Sequence, residues 1–164
     1  MLNILVVCEN NAALSIMAES MINAASKGRW HAFSAGSRPA REFDRHALQA
    51  MKELELPLPQ VSRPVHWSNF AGPSALSFDV VATLSEAIDW QRMPEWRGAP
   101  KLMHWTLPDP LAVPVPFGER LAVLRFVRDL VAEKVKVLLD ENRFAAPSVL
   151  ANDNGADASR RRAG

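Results

Sequence analysis

The order of apolar and polar positions along the chain predicts strands that alternate with helices. Residues 3–8 (NILVVC) form a short apolar, β-branched run, which is typical of a strand buried on both faces of a parallel sheet. Apolar residues then recur at helical spacing from Ile16 to Ala24, and this segment ends at Lys27-Gly28, a basic residue followed by a helix-terminating glycine. A strand followed at once by a helix is the start of a βα unit.

The same alternation continues along most of the chain. We predict a strand at residues 30–34, a loop at 35–39, a helix at 44–54, a strand at 78–83, a short helix at 86–90, a strand at 102–105 and a long helix at 118–142. This order indicates an α/β fold, a three-layer sandwich in which a four-stranded parallel sheet has helices on both faces. We expect one domain over residues 1–150 and a disordered tail at 151–164, which has no large apolar residue.

Composition and charge limit the classes of function. The 164 residues are 48% apolar and 23% charged, enough apolar material for a core. A net charge of +1 favours neither nucleic acid nor a membrane surface as a partner. The apolar run at the N-terminus is far shorter than the roughly 20 residues that span a bilayer and lacks the basic flank of a signal peptide, so we expect a cytoplasmic protein. The three arginines at 160–162 are more typical of a solvated terminus than of a site for an anionic partner.

The cysteine count narrows the chemistry further. Cys8 is the only cysteine, which excludes an intrachain disulfide and a site built from clustered thiolates. The four histidines are spread along the chain without the spacing of metal ligands. We therefore expect neither a metal ion nor another cofactor.

Cys8 stands where a functional thiol is expected. Ligands of parallel sheets bind beyond the carboxyl ends of the strands, and Cys8 ends the first strand, just before a loop and a helix N-terminus. The positive end of the helix dipole favours the thiolate and lowers the pKa of the cysteine, and the loop amides can hold a phosphate-like anion. The alternative is a buried cysteine that serves as a small apolar residue.

Three segments, in order, resemble the low-molecular-weight protein-tyrosine phosphatase family and in particular its arsenate-reductase branch. Residues 7–19 (VCENNAALSIMAE) are similar to the family's phosphate loop and first helix, V-C-x-G-N-x-x-R-S-x-M-A-E. Residues 34–37 (SAGS) resemble the S-A-G-[ST] that follows the second strand of the family. His104-Trp105 and Asp109-Pro110 resemble its H-W…D-P segment, and the spacing agrees over about residues 3–141.

The resemblance implies thiol chemistry on a phosphate or arsenate oxyanion. Cys8 would be the nucleophile, Asp109 the general acid, and Ser15 a hydrogen-bond partner that helps to release the thiol. Asn11 would brace the loop. The oxyanion-binding loop would consist of Glu9, Asn10, Asn11, Ala12, Ala13 and Leu14.

The loop departs from the family pattern at three positions. The family arginine corresponds to Leu14, which cannot grip two anion oxygens as a guanidinium does. Glu9 adds a carboxylate that repels an anion and disfavours a thiolate at the neighbouring cysteine. Asn10 replaces a glycine, which we expect to be tolerated because Asn adopts positive φ more readily than most residues. Arg38 and Arg41 follow the second strand and are candidates to supply the missing cation.

These residues leave two functions open. The first is a weakly active phosphatase or arsenate-reductase relative that works through Cys8. Because no second cysteine exists, and Ser85 stands in the segment where one is expected, arsenate reduction would need a small external thiol. Leu111 and Ala112 replace the aromatic residues that recognise phosphotyrosine, which argues against that specificity. The second function is a catalytically inactive family member that binds a ligand or a partner protein through the altered loop or a tryptophan-bearing surface.

Overall fold

The computed structural model describes residues 1–140, and its centre is a four-stranded parallel sheet. The strands are β1 (Leu2–Cys8), β2 (Trp30–Gly36), β3 (Val80–Thr83) and β4 (Lys101–His104), in the order β2-β1-β3-β4. The α-helices are α1 (Leu14–Ala25), α2 (Arg45–Lys52) and α3 (Arg120–Asp140), and 3₁₀ helices lie at Trp67–Phe70, Trp90–Arg92 and Phe117–Glu119. The predicted α/β fold with four parallel strands and flanking helices is confirmed.

β1 lies inside the sheet and separates two apolar layers. Ile4 and Val6 belong to the layer that packs against the three α-helices. Leu5 and Val7 point the other way, because successive side chains of a strand alternate between the two faces of a sheet. That second layer includes the buried tryptophan of the 3₁₀ helix Trp67–Phe70. Burial on both faces explains why this strand is continuously apolar.

α3 closes the layer of helices. Its buried apolar residues recur every three or four positions and face α1 and α2; they are Leu124, Val127, Val131, Val135 and Leu138. Arg128, on the same helix, is also mostly buried, and its guanidinium donates to the carbonyl oxygen of Ala50 at 3.0 Å. Within residues 1–140, no helix has both the length and the apolar character needed to cross a membrane.

The strand order places the end of β1 where ligands are expected to bind. β1 pairs with β2 on one side and with β3 on the other. The strand that follows β1 in the sequence is therefore added on one side of it, and the next strand is added on the opposite side. In open parallel sheets, such a reversal leaves a crevice beyond the carboxyl ends of the two central strands. Cys8 is the last residue of β1 and lies at this crevice.

Several predicted boundaries are corrected by the structure. The predicted short helix at 86–90 is wrong: residues 86–88 form a turn, because five residues are too few for a stable α-helix. The Asp89 carboxylate caps a separate 3₁₀ helix that starts at Trp90. β3 starts two residues later than predicted, β2 continues to Gly36, and α2 ends at Lys52. The predicted helix end at 141–142 and the predicted tail at 151–164 lie outside the described residues.

Candidate active site

Residues 9–13 wrap around the Cys8 sulfur between β1 and α1. The amide N–H of Asn11 donates to Sγ at 3.2 Å, and Ser15 Oγ lies 3.1 Å from the same sulfur. Asn11 has a φ of 51°, the left-handed conformation that turns the backbone over the thiol. The left-handed residue is thus Asn11 and not Asn10, so the predicted reason for tolerating asparagine in place of glycine at position 10 is wrong.

The Asn11 side chain ties the loop to three other parts of the chain. Its Nδ2 donates to Ser15 Oγ at 2.9 Å and to Ser34 Oγ at 3.0 Å. Its Oδ1 accepts the amide N–H of Val65 at 2.9 Å. Asn11 is fully buried, so these hydrogen bonds form away from water, where losing one is costly. They hold the loop closed around Cys8, as a bracing role for Asn11 requires.

A buried carboxylate behind this network was missed by the sequence analysis. Ser34 Oγ donates to Glu19 Oε2 at 2.5 Å, and the amide N–H of Gln60 donates to Oε1 at 2.9 Å. Burial raises the pKa of Glu19, and the hydrogen bonds from Ser34 and Gln60 offset part of that rise. The signal in the sequence is a glutamate on a helix face that is otherwise apolar, because a buried carboxylate needs hydrogen-bond donors around it.

Gly36 lets the loop lie directly against the end of β2. A β-carbon at this position would lie 2.7 Å from the carbonyl oxygen of Glu9 and 3.0 Å from the amide nitrogen of Asn11. The segment after Gly36 is joined to the loop by the backbone, since Arg38 N–H donates to the Glu9 carbonyl at 2.8 Å. The glycine at position 36 therefore has a packing reason.

Leu14 occupies the first position of α1, and its side chain belongs to the apolar core. It is 2% exposed and has no charge to offer an anion. The amide N–H groups of Ala13 and Leu14 have no hydrogen-bond partner in the part of the chain that the structure describes. The loop thus offers amide donors but no guanidinium at position 14.

The charges at the edge of the loop differ from those expected from the sequence. Arg38 forms a salt bridge with Glu9, which neutralises the carboxylate that was expected to repel an anion. Arg41 is exposed, and among residues 1–140 no hydrogen bond or ion pair joins it to the loop. The structure therefore brings only Arg38, of the two candidate cations, into contact with the loop.

The Asn10 side chain joins the loop to Asp109. Its Oδ1 accepts the amide N–H of Ala12 at 2.9 Å and lies 3.8 Å from Cys8 Sγ. Its Nδ2 donates to Asp109 Oδ2 at 3.3 Å. The other oxygen of Asp109 accepts the amide N–H of Leu111 at 2.9 Å, which fixes the carboxylate after the Asp-Pro pair. One side chain thus contacts the thiol, the loop amides and the predicted acid.

Burial determines the protonation of the thiol. Cys8 is 2% exposed, and loss of hydration raises the pKa of its thiol above the ordinary value. Hydrogen bonds from the Ser15 hydroxyl, the Ser15 amide and the Asn11 amide lower the pKa in part, and the Asp109 carboxylate raises it further. The expected lowering of the thiol pKa by the helix is therefore wrong for this loop, because desolvation outweighs the amide hydrogen bonds.

An open cleft of about 590 Å³ lies beside the loop. Ala12 of the loop and Leu111, which follows the Asp-Pro pair, both line it, together with Phe43, Phe117 and Arg120. The cleft therefore adjoins the loop at Ala12 and the segment after the Asp-Pro pair at Leu111. Within residues 1–140, no group of three His, Cys, Asp or Glu side chains is placed to hold a metal ion.

Comparison with known proteins gives one family. The family model for low molecular weight phosphotyrosine protein phosphatases matches residues 3–146. An arsenate reductase from Archaeoglobus fulgidus DSM 4304 is 27% identical, with a TM-score of 0.67 over 84% of this chain and 99% of that one. An arsenate reductase in a phosphate-binding state is 29% identical, with a TM-score of 0.65 over 85% and 97%. A low molecular weight protein tyrosine phosphatase from T. tengcongensis, 20% identical with a TM-score of 0.64 over 85% and 98%, shares the fold. No curated protein matches the sequence.

We predict that Gly36→Ala destabilises the protein, because the added β-carbon would meet the Glu9 carbonyl oxygen at 2.7 Å. The expected loss in the free energy of unfolding is about 1–3 kcal/mol, the usual cost of overpacking, measured by denaturant unfolding. Gly118→Ala is the matched control, since nothing lies within 4 Å of its β-carbon position. Equal stability of the two variants would contradict the close approach of the loop.

We also predict that the Cys8 thiolate forms only above the ordinary thiol pKa of about 8.5. Because Cys8 is the only cysteine, the ultraviolet absorbance of the thiolate, with Cys8→Ser as the blank, reports this group alone. The folded protein holds this proton more tightly than the unfolded chain. Stability relative to Cys8→Ser should therefore fall as pH rises above that ordinary value. A titration midpoint near neutral pH would show that burial does not control the thiol.

Proposed function

This chain belongs to the low molecular weight phosphotyrosine protein phosphatase family, and on that premise we propose that it acts, slowly, on phosphate or arsenate oxyanions through the Cys8 thiolate. The observation that carries the proposal is the closed loop, in which one hydrogen-bonded unit contains the thiol, the backbone amides and the Asp109 carboxylate. Support also comes from the relatives, since two similar structures are arsenate reductases and one of them is in a phosphate-binding state.

The proposed hydrolysis has two steps. The Cys8 sulfur attacks phosphorus as the bond to the leaving oxygen breaks, and protonated Asp109 gives its proton to that oxygen. Water then attacks phosphorus, Asp109 accepts the water proton, and the sulfur leaves as a thiolate. The Ser15 hydroxyl, 3.1 Å from Sγ, donates to the sulfur in both steps and so stabilises the thiolate each time it carries charge.

Two features of the loop make this reaction slow. The position of the family arginine is filled by Leu14, and losing a charge-stabilising group of this kind costs about 10²- to 10⁵-fold in rate. The raised pKa of Cys8 leaves little thiolate at neutral pH. Arg38 and Arg41 are the candidates for partial compensation, and Arg38 would have to release Glu9 to serve.

For arsenate we propose reduction with a small external thiol. Cys8 first forms a sulfur–arsenic bond and releases water. The external thiol then attacks the Cys8 sulfur, and the electron pair of the sulfur–arsenic bond reduces As(V) to As(III), leaving a mixed disulfide on Cys8. A second molecule of the thiol regenerates the cysteine. This scheme needs a reducing compartment, in agreement with the predicted cytoplasmic location.

One observation favours a second function, non-catalytic binding of a ligand or partner protein. Asn10 already fills part of the loop that an anion would use. A partner surface built on tryptophans has less support, since Trp67 and Trp105 are buried and leave Trp90 and Trp96 for it.

Parallel assays test the proposal: hydrolysis of an aryl phosphate, and reduction of arsenate with glutathione. We expect slow turnover in both assays. The Cys8→Ser variant should abolish it, because no other thiol exists. The Asp109→Asn variant should lower the rate of hydrolysis by about 10²- to 10⁴-fold. Turnover that survives in Cys8→Ser would overturn the proposal. A folded protein with no turnover in either assay would favour the binding function.

We further predict that Leu14→Arg combined with Glu9→Gly raises the hydrolysis rate by at least ~10²-fold, because it places a guanidinium at the loop and removes the carboxylate that holds Arg38. Leu14→Met with Glu9→Gly is the control, since methionine fills the same buried site without charge. Circular dichroism verifies that both proteins fold. If both folded variants hydrolyse at the same rate, the missing arginine does not limit the reaction.

A further inference from the structure

We infer that Asn10 is a gate residue. Its carboxamide occupies the anion position, by which we mean the space over Cys8 Sγ beside the loop amides, and must swing out before an oxyanion can bind there. The inference rests on the proposed function, because it concerns how the same loop is controlled. It is drawn from three contacts that the Asn10 side chain makes at once.

The first two contacts block the anion position. Asn10 Oδ1 accepts the amide N–H of Ala12 at 2.9 Å, so that donor is not available to an oxyanion. The Cys8 thiol donates to the same oxygen, with 3.8 Å between Sγ and Oδ1. An oxyanion that bound the Ala12 amide over the sulfur would therefore have to replace the carboxamide at both contacts.

The third contact occupies the predicted general acid. Asn10 Nδ2 donates to Asp109 Oδ2 at 3.3 Å, and Leu111 N–H donates to the other carboxylate oxygen. Asn10 thus occupies one oxygen of the carboxylate that would have to reach the leaving group as the general acid. Release of Asn10 would therefore free the anion position and one oxygen of Asp109 in a single movement.

The two adjacent asparagines differ in their freedom to move. Asn11 is fully buried and bonded to three other segments, which fixes it. Asn10 is partly exposed, and its side-chain hydrogen bonds to Ala12 and Asp109 are only partly buried. An anion forms stronger, charge-assisted hydrogen bonds with amides than a neutral carboxamide does. A dianion such as phosphate or arsenate can thus displace Asn10 more readily than a monoanion can.

The test is calorimetric titration of inorganic phosphate into the full-length protein. Without a side chain to displace, Asn10→Ala should bind phosphate about tenfold more tightly than the unmodified protein. Asn10→Asp should bind more weakly, since it keeps the shape and adds a negative charge. Asn69→Ala, an exposed asparagine of a 3₁₀ helix, is the control and should leave the affinity unchanged. Equal or weaker binding by folded Asn10→Ala overturns the gate.

Alkylation of Cys8 supplies a second readout that a loosened loop would not reproduce. Iodoacetate carries a negative charge and iodoacetamide does not. The ratio of the iodoacetate rate to the iodoacetamide rate therefore reports how well the loop accepts an anion, separately from access to the thiol. Asn10→Ala should raise this ratio severalfold. If the substitution only loosens the loop, both rates rise together and the ratio does not change, which would contradict the inference. Asn10→Gly serves if the alanine variant does not fold.

These measurements separate the gate from the proposed function. Phosphate binding and alkylation need no turnover, so a protein that never hydrolyses a phosphate ester can still show a gate. Conversely, Cys8-dependent turnover together with unchanged phosphate affinity in Asn10→Ala would support the proposed function and overturn the gate.

Discussion

The site depends on the hydrogen bonds of a single buried amide, the side chain of Asn11. A chain that turns back over a thiol must adopt a left-handed residue and must satisfy the polar groups it buries, and Asn11 meets both demands. Gly36 permits the close packing that lets these bonds form. None of this involves Leu14, so the loop keeps its shape although position 14 offers no charge to an anion.

The electrostatics of the loop follow from burial. The pKa of the Cys8 thiol, which is 2% exposed, is raised because the amide hydrogen bonds do not offset its desolvation. A neutral thiol leaves the amide donors without an anion to bind, and the neutral carboxamide of Asn10 takes one of them. The Glu9 and Arg38 charges cancel each other at the edge. These groups of the loop thus carry no net charge, although the backbone conformation of the loop suits an anion.

The sequence alone predicts the parts that depend on local pattern. The apolar run of β1 and the helical spacing of α1 and α3 predict the sheet and the main helices, whereas residues 86–90 are too short a segment for such a pattern to decide. The order of Cys8 and Ser15 indicates the loop. The contact between Asn10 and Asp109 joins residues 99 positions apart, and the thiol pKa depends on burial by the whole fold, so no local pattern reveals either.

The measurement that tests this account most directly is a crystal structure of the protein grown in phosphate. The account predicts a phosphate ion over Cys8 Sγ, held by the amides of residues 12–14, with the Asn10 carboxamide turned away from Ala12 and the hydrogen bonds of Asn11 unchanged. A loop that has opened and lost the bonds from Asn11 to Ser34, or a phosphate ion bound elsewhere while Asn10 keeps its place, would contradict it.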